Sequence, residues 1–228
     1  MTTTPIVQLN GVSKSFGVAS DPVQVLDDVH LTIRPGEKAS LVGPSGSGKS
    51  TLLSLIAGLL RPDSGTVEID GVPISELDDR HRARLRADRI GIALQSDNLI
   101  PFLSARENVE VALAFGAPRS AGRSGSAARA RAMDLLDRFD VGHRAGHRPR
   151  HLSGGEAQRV ALAVSMANEP ALLLADEVVA QLDGETAARV VDEVLHADFA
   201  VLYVTHDQAL ADLVELRYAL DGHALVTR

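Results

Sequence analysis

Residues 43–50, GPSGSGKS, constrain the fold of this chain more than any other stretch. The pattern G-x-x-x-x-G-K-[ST] binds phosphate, because its glycines let backbone N–H groups turn inward and the next helix adds the positive end of its dipole. The preceding KASLVG predicts a short buried strand, and the following TLLSLIAGLL has helical spacing. A strand, a phosphate loop and a helix in this order predict an α/β fold that binds a nucleotide.

Two side chains of the loop carry chemistry. Lys49 would reach the β- and γ-phosphates of a nucleotide, and the hydroxyl of Ser50 would bind Mg²⁺. A glycine-rich structural turn is the alternative, but the strand–loop–helix context favours phosphate binding. The nucleotide-binding candidates of this region are Gly43, Pro44, Ser45, Gly46, Ser47, Gly48, Lys49, Ser50 and Thr51.

Strands and helices alternate over most of the 228 residues, which predicts a single α/β domain with a mostly parallel sheet. At the N-terminus, IVQLNGVSKSF and VQVLDDVHLTI alternate apolar and polar residues and predict a β portion. The final YALDGHALVTR predicts a terminal hairpin. Ligands of such a sheet bind at the carboxyl ends of its strands.

Residues 98–158 differ from the rest because they contain no convincing strand. They predict a helical insertion, so we expect the core and β portion at about 1–97 and 159–228. Within the insertion, GAPRSAGRSGSAARA is rich in Gly, Ser and Arg and predicts a mobile surface loop, followed by a short amphipathic helix in ARAMDLLDRFD.

Polar residues follow two further apolar strands. Asp176 and Glu177 come directly after ALLLA, and His206 follows AVLYVT. An acid at the end of a core strand beside a phosphate loop can hold Mg²⁺, and its neighbour could orient or deprotonate a water aimed at the γ-phosphate. Solvated acids are the alternative, which the phosphate loop disfavours. His206 could contact the γ-phosphate, although a lone histidine carries little weight by itself.

Residues 152–159, LSGGEAQR, predict a second anion-binding helix N-terminus, because a serine and two glycines open a helical segment. One chain needs only one such element for the phosphates of its own nucleotide. A second element inside the helical insertion therefore suggests contact with a nucleotide that is held by another copy of the chain.

The composition excludes several classes of protein. Cysteine is absent, which rules out disulfides, thiolate metal sites and a cysteine nucleophile. The net charge of −7 argues against broad nucleic-acid binding, and the basic residues 80–86 are flanked by acids, which is typical of a solvated helix face. The histidines at 143, 147 and 151 lie in a Gly/Pro/Arg-rich link, which favours a solvated connection over a metal site.

Nothing in the sequence predicts direct membrane insertion. MTTTPIVQLNG has neither the basic region nor the apolar stretch of a signal peptide, and no apolar run approaches about 18 residues. We therefore expect the chain to act at a membrane only through a partner.

The phosphate loop, Gln95, LSGGE, LLLADE and THD occur in an order and spacing that resemble those of the ATP-binding cassette (ABC) ATPases, over essentially the whole chain. The resemblance implies a P-loop NTPase (RecA-like) core with an inserted ABC helical subdomain. It also implies that two cassettes dimerise head to tail around two ATP molecules. Each ATP would lie between the phosphate loop of one subunit and the signature motif, residues 152–156, of the other.

The resemblance also implies roles for individual residues. Phe16 resembles the aromatic residue that stacks on adenine, and Gln95 resembles the glutamine that binds Mg²⁺ and couples to the membrane partner. Glu177 resembles the catalytic base, Asp183 the acid of the dimer-communication loop and His206 the switch histidine. The implied catalytic residues are Lys49, Glu177 and His206; the implied metal ligands are Ser50, Gln95 and Asp176; the nucleotide site gains Phe16, Gln95, Ser153, Gly154, Gly155, Glu156 and Asp183.

A finer resemblance is carried by residues 76–113, which are similar to the bacterial subfamily of macrolide-exporter, lipoprotein-releasing and cell-division cassettes. It implies an integral membrane permease of the four-helix type with a large extracytoplasmic domain as the partner. The chain itself would be cytoplasmic, peripheral on the inner face of the cell membrane.

The chain departs from the family pattern at three places. Val178 and Val179 replace the usual Pro-Thr after the paired acids, Val164 and Ser165 replace the usual Arg-Ala, and Glu156 replaces the commoner glutamine. Loss of the proline frees φ and adds a backbone donor between the catalytic acid and the loop that senses the other subunit. These changes leave two hypotheses open: a working ATPase with altered coupling, or an ATP-binding regulatory or structural cassette that hydrolyses slowly or only beside its partner. A third possibility, a soluble ABC ATPase of DNA repair or translation, is disfavoured because the sequence has neither a long coiled coil nor a second cassette.

Overall fold

The computed structural model describes residues 4–18, 21–93, 99–116, 125–176 and 184–228, with side chains from residue 190 onward in the last range. These residues divide into two compact units, one made of residues 1–86 and 198–228 and the other of residues 87–197. Each unit combines sheet and helix, which agrees with the α/β class predicted from the sequence.

The first unit begins with an antiparallel sheet of four strands in the order β2-β1-β4-β5. Its strands are β1 (Val7–Val18), β2 (Asp21–Ile33), β4 (Ser64–Ile69) and β5 (Val72–Pro73). Alternate residues at the start of β1 (Val7 and Leu9) and at the end of β2 (Val29, Leu31 and Ile33) are buried, as the period of two in the sequence predicts. The predicted N-terminal β portion is confirmed.

The phosphate loop follows a strand of a second, mostly parallel group of strands in the same unit. Strand β3 (Lys38–Val42) pairs in parallel with β8 (Ala200–Val204) on one side and with β9 (Leu216–Asp221) on the other. Strand β10 (Ala224–Thr227) pairs antiparallel with β9, which confirms the predicted terminal hairpin.

The terminal hairpin is fastened to the antiparallel sheet of its unit. The Tyr218 hydroxyl donates to the carbonyl of Thr32 at 3.2 Å, and the Asp27 N–H donates to the carbonyl of His223 at 2.9 Å. These bonds join the hairpin to β2 of that sheet. Most buried residues of the described ranges are aliphatic, as expected when only 3% of the chain is aromatic.

Helices of the first unit are short. Helix α1 (Lys49–Ile56) follows the phosphate loop and buries Leu52, Leu53, Leu55 and Ile56. Helix α2 (Asp79–Arg89) contains the basic stretch, and none of its residues, all of which the structure describes, is buried. Its last three residues belong to the second unit. Helix α7 (Gln208–Ala211) follows β8.

The second unit contains two parallel strands, β6 (Ile90–Ala93) and β7 (Leu172–Asp176). Its helices are α3 (Ala105–Phe115), α4 (Gly125–Arg138), α5 (Gly154–Ser165) and α6 (Gly184–Leu195). Strand β6 approaches α5 closely at Gly91, where a Cβ atom would lie 2.4 Å from the carbonyl oxygen of Ser165. Glycine permits this approach because it has no side chain.

The predicted loop in GAPRSAGRSGSAARA is wrong in its second half. Helix α4 begins at Gly125, so the residues SAARA form its first turns. Alanine and arginine have high helix propensity, and Ala128 and Ala132 are buried against the rest of the unit. The remaining residues, 117–124, lie outside the described part of the chain.

The Gly/Pro/Arg-rich link before α5 is an ordered connection. It contains two short 3-10 helices, at Gly142–Arg144 and Pro149–His151. Its carbonyls at Ala145 and His147 accept hydrogen bonds from the N–H groups of Arg106 and Ala105, at 3.0 and 2.8 Å. The link thereby satisfies two of the open donors at the start of α3. None of the helices in the described ranges is both long and apolar enough to cross a membrane.

Candidate active site

The phosphate loop joins β3 to α1 through left-handed glycines. Gly46 has φ +80° and Gly48 has φ +102°, and Gly48 serves as the N-cap of α1. At Gly48 a Cβ atom would lie 2.9 Å from the Cγ1 atom of Val25, so a side chain there meets both backbone strain and a steric clash. Around Gly46 there is open space. The loop is therefore fixed at its helix end and open at its tip.

Lys49 points back over the loop. Its ammonium donates to the carbonyl oxygens of Gly43 and Pro44, both at 2.8 Å. The hydroxyl of Ser47 is buried and has no hydrogen-bond partner among the described residues. A buried hydroxyl without a partner and an ammonium held on two carbonyls both fit a loop that accepts an anion, because phosphate oxygens can satisfy both groups.

Helix α1 begins without any acidic group. Its N-cap has no side chain, and none of the first-turn residues, all of which the structure describes, is acidic. The positive end of the helix dipole therefore faces no acidic side chain of the first turn and favours a negative ligand. The residues of this loop fit a bound nucleoside triphosphate.

His206 lies at the same edge of the sheet as the phosphate loop. It follows β8, which pairs in parallel with β3, and the Thr205 N–H donates to the carbonyl of Leu41 at 3.2 Å. The flanking residues fix the turn, since the Asp207 N–H donates to the Thr205 hydroxyl oxygen at 3.0 Å. His206 itself is exposed. Its expected place at a strand end next to the loop is confirmed, whereas its role stays a prediction.

The end of β8 is further held by Tyr203, whose hydroxyl donates to the carbonyl of Leu210. Burial raises the pKa of Tyr203 to about 12, so the phenol stays a neutral hydrogen-bond donor at physiological pH. This contact ties the strand before His206 to α7.

Phe16 is an exposed aromatic ring on β1, with 43% of its surface accessible. The ammonium of Lys14 lies 5.6 Å from the centre of the ring and donates to Asp63 Oδ1 at 2.6 Å. The other carboxylate oxygen of Asp63 accepts from the Ser15 N–H at 2.7 Å, and these bonds hold the pKa of Asp63 below its usual range. Asp63 thus holds the strand at Lys14 and Ser15, directly before Phe16.

Asp176 is the last residue of β7 in the second unit and is partly exposed. The buried run before it, residues 172–175, confirms the predicted core strand. Gln95, Glu177 and Asp183 lie outside the described residues, and so does the Val178-Val179 departure.

The signature motif opens α5 through a capping box. Ser153 is the N-cap; its hydroxyl oxygen accepts from the Glu156 N–H at 3.2 Å, while the Ser153 N–H donates to Glu156 Oε2 at 2.8 Å. The other oxygen of Glu156 accepts from Arg144 Nε at 2.7 Å. The Ser153 N–H and the Arg144 guanidinium lower the pKa of Glu156 to about 2, so its carboxylate is ionised at neutral pH. The predicted helix opening at Ser153, Gly154 and Gly155 is confirmed.

Comparisons with known proteins agree with this geometry. The sequence profile of the ABC transporter family matches residues 26–180. The chain belongs to the ABC transporter ATPases. It is 43% identical to lipoprotein-releasing system ATP-binding protein LolD 1 of Rhodopirellula baltica, over 95% of this chain and 94% of that protein. It is 40% identical to LolD 2 of Caulobacter vibrioides over 98% of each chain.

A solved ABC structure has the same fold. It is the dimeric post-hydrolysis state of the ATP-binding cassette MJ0796 bound to ADP and Pi, which superposes with a TM-score of 0.91 at 36% identity over 97% of each chain. As an ABC ATPase subunit of the LolD type, this chain binds Mg-ATP, hydrolyses it and works with a membrane partner.

Sequence reasoning missed three residues that position the site of this ABC ATPase. Lys14 and Asp63 fix the strand that carries Phe16, and Arg144 holds Glu156. None of them stands in a motif that specifies its partner, and Lys14 and Asp63 are 49 residues apart in the chain. The start of the neighbouring α3 could have been predicted, because Ser104 and Glu107 have the S-x-x-E spacing of a capping box.

Proposed function

We propose that two copies of this chain form a head-to-tail dimer around two Mg-ATP molecules and thereby drive a membrane permease. The observation that carries the proposal is the presence of two helix N-termini suited to anions, at α1 and at α5. One nucleotide needs only the first of them. A second copy of the chain supplies the γ-phosphate that the second would contact.

Within this dimer the residues of the loop and of the strand ends have distinct roles. Lys49 binds the β- and γ-phosphates, Ser50, Gln95 and Asp176 hold Mg²⁺, and Glu177 takes a proton from the attacking water. The magnesium ion neutralises charge that develops on the phosphate oxygens. His206 contacts the γ-phosphate from the strand beside the loop.

The remaining contacts of the nucleotide come from three elements. Phe16 stacks on the adenine ring, Ser153, Gly154, Gly155 and Glu156 approach the ATP of the other copy, and Asp183 lies at the contact between the two copies. Support for the stacking role comes from the exposure of Phe16 on a strand that Asp63 holds in place.

The membrane partner in this proposal is a four-helix permease with a large extracytoplasmic domain. The support is the near full-length similarity to proteins named as ATP-binding subunits of lipoprotein-releasing systems. The chain would then lie on the inner face of the cell membrane. Its helical subdomain would be residues 98–158, inserted into a core formed by residues 1–97 and 159–228.

ATP hydrolysis and dimerisation by the purified chain test the proposal. Both are measured with Mg²⁺ and ATP, alone and together with the permease that is encoded next to it or that co-purifies with it. The Glu177→Gln variant is the matched control, since it keeps the size and polarity of the side chain and removes the base. We expect this variant to lose hydrolysis and to form an ATP-dependent dimer.

Two outcomes would overturn the proposal. If the parent chain and the Glu177→Gln variant hydrolyse ATP at the same rate in both settings, Glu177 is not the base. If the chain stays monomeric with ATP in the Glu177→Gln background, the two nucleotides are not enclosed between two copies.

A further inference from the structure

The carboxylate of Glu156 raises an electrostatic problem at the start of α5. In the proposed dimer this helix N-terminus meets the γ-phosphate of the other copy. A carboxylate there repels a phosphate group, and the repulsion grows as water is excluded from the interface. The glutamine that is commoner at this position has no charge and creates no such repulsion.

Arg144 lies where it can cancel this charge. Its Nε atom donates to Glu156 Oε1 at 2.7 Å, and the side chains are 38% and 12% exposed, respectively. His143 also faces this carboxylate oxygen, with Nε2 at 3.7 Å. The pair is therefore close and partly sheltered from water, which makes it stronger than a fully exposed ion pair.

The backbone of Arg144 is held as well. Its N–H donates to the carbonyl of Val141 at 3.0 Å, and its carbonyl accepts from the His147 N–H at 2.8 Å. The next carbonyls along the link, of Ala145 and His147, accept from the first N–H groups of α3. The guanidinium is thus presented from a connection that is itself tied to the neighbouring helix.

We propose that Arg144 is a positioning residue for the signature motif: it holds Glu156 in the capping box and neutralises its charge, so that the N-terminus of α5 can accept the γ-phosphate of the second copy. This inference rests on the proposed ATP-enclosing dimer. Arg144 touches neither nucleotide. Its effect passes through Glu156, and this distinguishes it from a residue that binds phosphate directly.

A double-mutant cycle tests the inference, with Arg144→Gln made in the parent chain and in the Glu156→Gln chain. The first measurement is thermal unfolding of the ATP-free protein. Arg144→Gln should lower the melting temperature of the parent and should change that of the Glu156→Gln chain much less, because the charge to be held is already absent. Equal losses in both chains would overturn the pairing.

The second measurement is ATP-dependent dimerisation in the Glu177→Gln background, followed by light scattering against ATP concentration. Arg144→Gln should weaken the dimer of the Glu156 chain about tenfold and that of the Glu156→Gln chain by less than about twofold, a coupling typical of residues in contact. Binding of ADP by the monomer should not change, because Arg144 is not part of the phosphate loop. Arg144→Lys should restore part of the loss.

The matched control is Arg150→Gln, which removes the same charge from an exposed residue of the same link. It should have a small effect in both chains. If Arg150→Gln weakens the dimer as much as Arg144→Gln does, general charge and not the pairing with Glu156 is responsible, and the inference is wrong.

The experiment separates failure of this inference from failure of the proposed function. A Glu177→Gln chain with Arg144 and Glu156 intact that stays monomeric with ATP contradicts the proposed dimer, and the unfolding cycle then still shows whether Arg144 holds Glu156. A parent chain that dimerises while the cycle shows no coupling contradicts the inference alone.

Discussion

The helix after the phosphate loop and the helix that begins within the signature motif start in opposite ways. Helix α1 starts at a left-handed glycine, with no side-chain cap and no acid among its described first-turn residues. Helix α5 starts at a capping box in which Ser153 and Glu156 satisfy each other's N–H groups. The first start has no capping side chain, whereas the second is capped by its own side chains without a ligand. Substitutions at the two starts should therefore have different consequences.

The largest effect is expected at α1. Lys49→Ala removes the only side-chain ammonium of the phosphate loop and should lower the rate of ATP hydrolysis by at least about 100-fold, as loss of a group that stabilises developing charge does. The measurement is steady-state phosphate release at saturating ATP. Arg80→Ala, at an exposed position of α2, is the charge-matched control and should keep the rate of the parent. If Lys49→Ala hydrolyses ATP at the rate of the parent, the ammonium of the phosphate loop takes no part in the reaction.

Gly48→Ala tests the conformation of the α1 cap. Alanine at position 48 must adopt φ near +102°, and its methyl group would lie 2.9 Å from Val25 Cγ1. We expect a loss of about 1–3 kcal/mol in the free energy of unfolding, measured by denaturant titration. Gly146→Ala, which meets open space, is the control and should leave the stability nearly unchanged. Equal stabilities of the two variants would show that the loop adapts to a side chain.

Two serines in similar capping boxes separate stability from ligand binding. Ser153→Ala at α5 and Ser104→Ala at α3 should each lower the free energy of unfolding by about 1 kcal/mol, because each removes an N-cap acceptor. Only Ser153→Ala should also raise the ATP concentration needed for dimerisation. If Ser104→Ala raises it equally, the effect reflects loss of stability and not contact with a nucleotide.

The smallest effect concerns the pH dependence of stability. The pKa of Glu156 is lowered from 4.5 to about 2 in the folded chain, so its ionised form stabilises the fold above pH 4.5 and this contribution is lost as the pH falls towards 2. The stability difference between the parent and Glu156→Gln should therefore shrink as the pH falls below about 4.5. Thermal unfolding across this range measures it. In the Arg144→Gln chain the loss should begin at the same pH, which the unfolded chain sets, but it should be smaller and should end at a higher pH. A loss of unchanged size would contradict the pairing.

Much of the fold could be predicted from the sequence, because period-two and helical patterns report local burial. The β portion, the parallel strands β3 and β8, the helix after the phosphate loop and the terminal hairpin all follow such patterns. The start of α4 could not be predicted by the same route. Its first turns contain Gly and Ser together with Ala, and burial of Ala128 in the folded unit favours helix over loop.

The same distinction between local sequence pattern and tertiary contact applies to the candidate site. The sequence by itself determined which motifs the chain contains: the spacing of GPSGSGKS, the acids after ALLLA and the serine and glycines of LSGGE predict where phosphate and metal bind, since these motifs depend on neighbouring residues. Only the tertiary structure decided which groups hold that chemistry in place. Asp63 clamps the strand of Phe16 from 48 residues beyond Ser15, and Arg144 reaches Glu156 across a link of two 3-10 turns. Such contacts depend on how the chain is folded back on itself, and no local pattern encodes them.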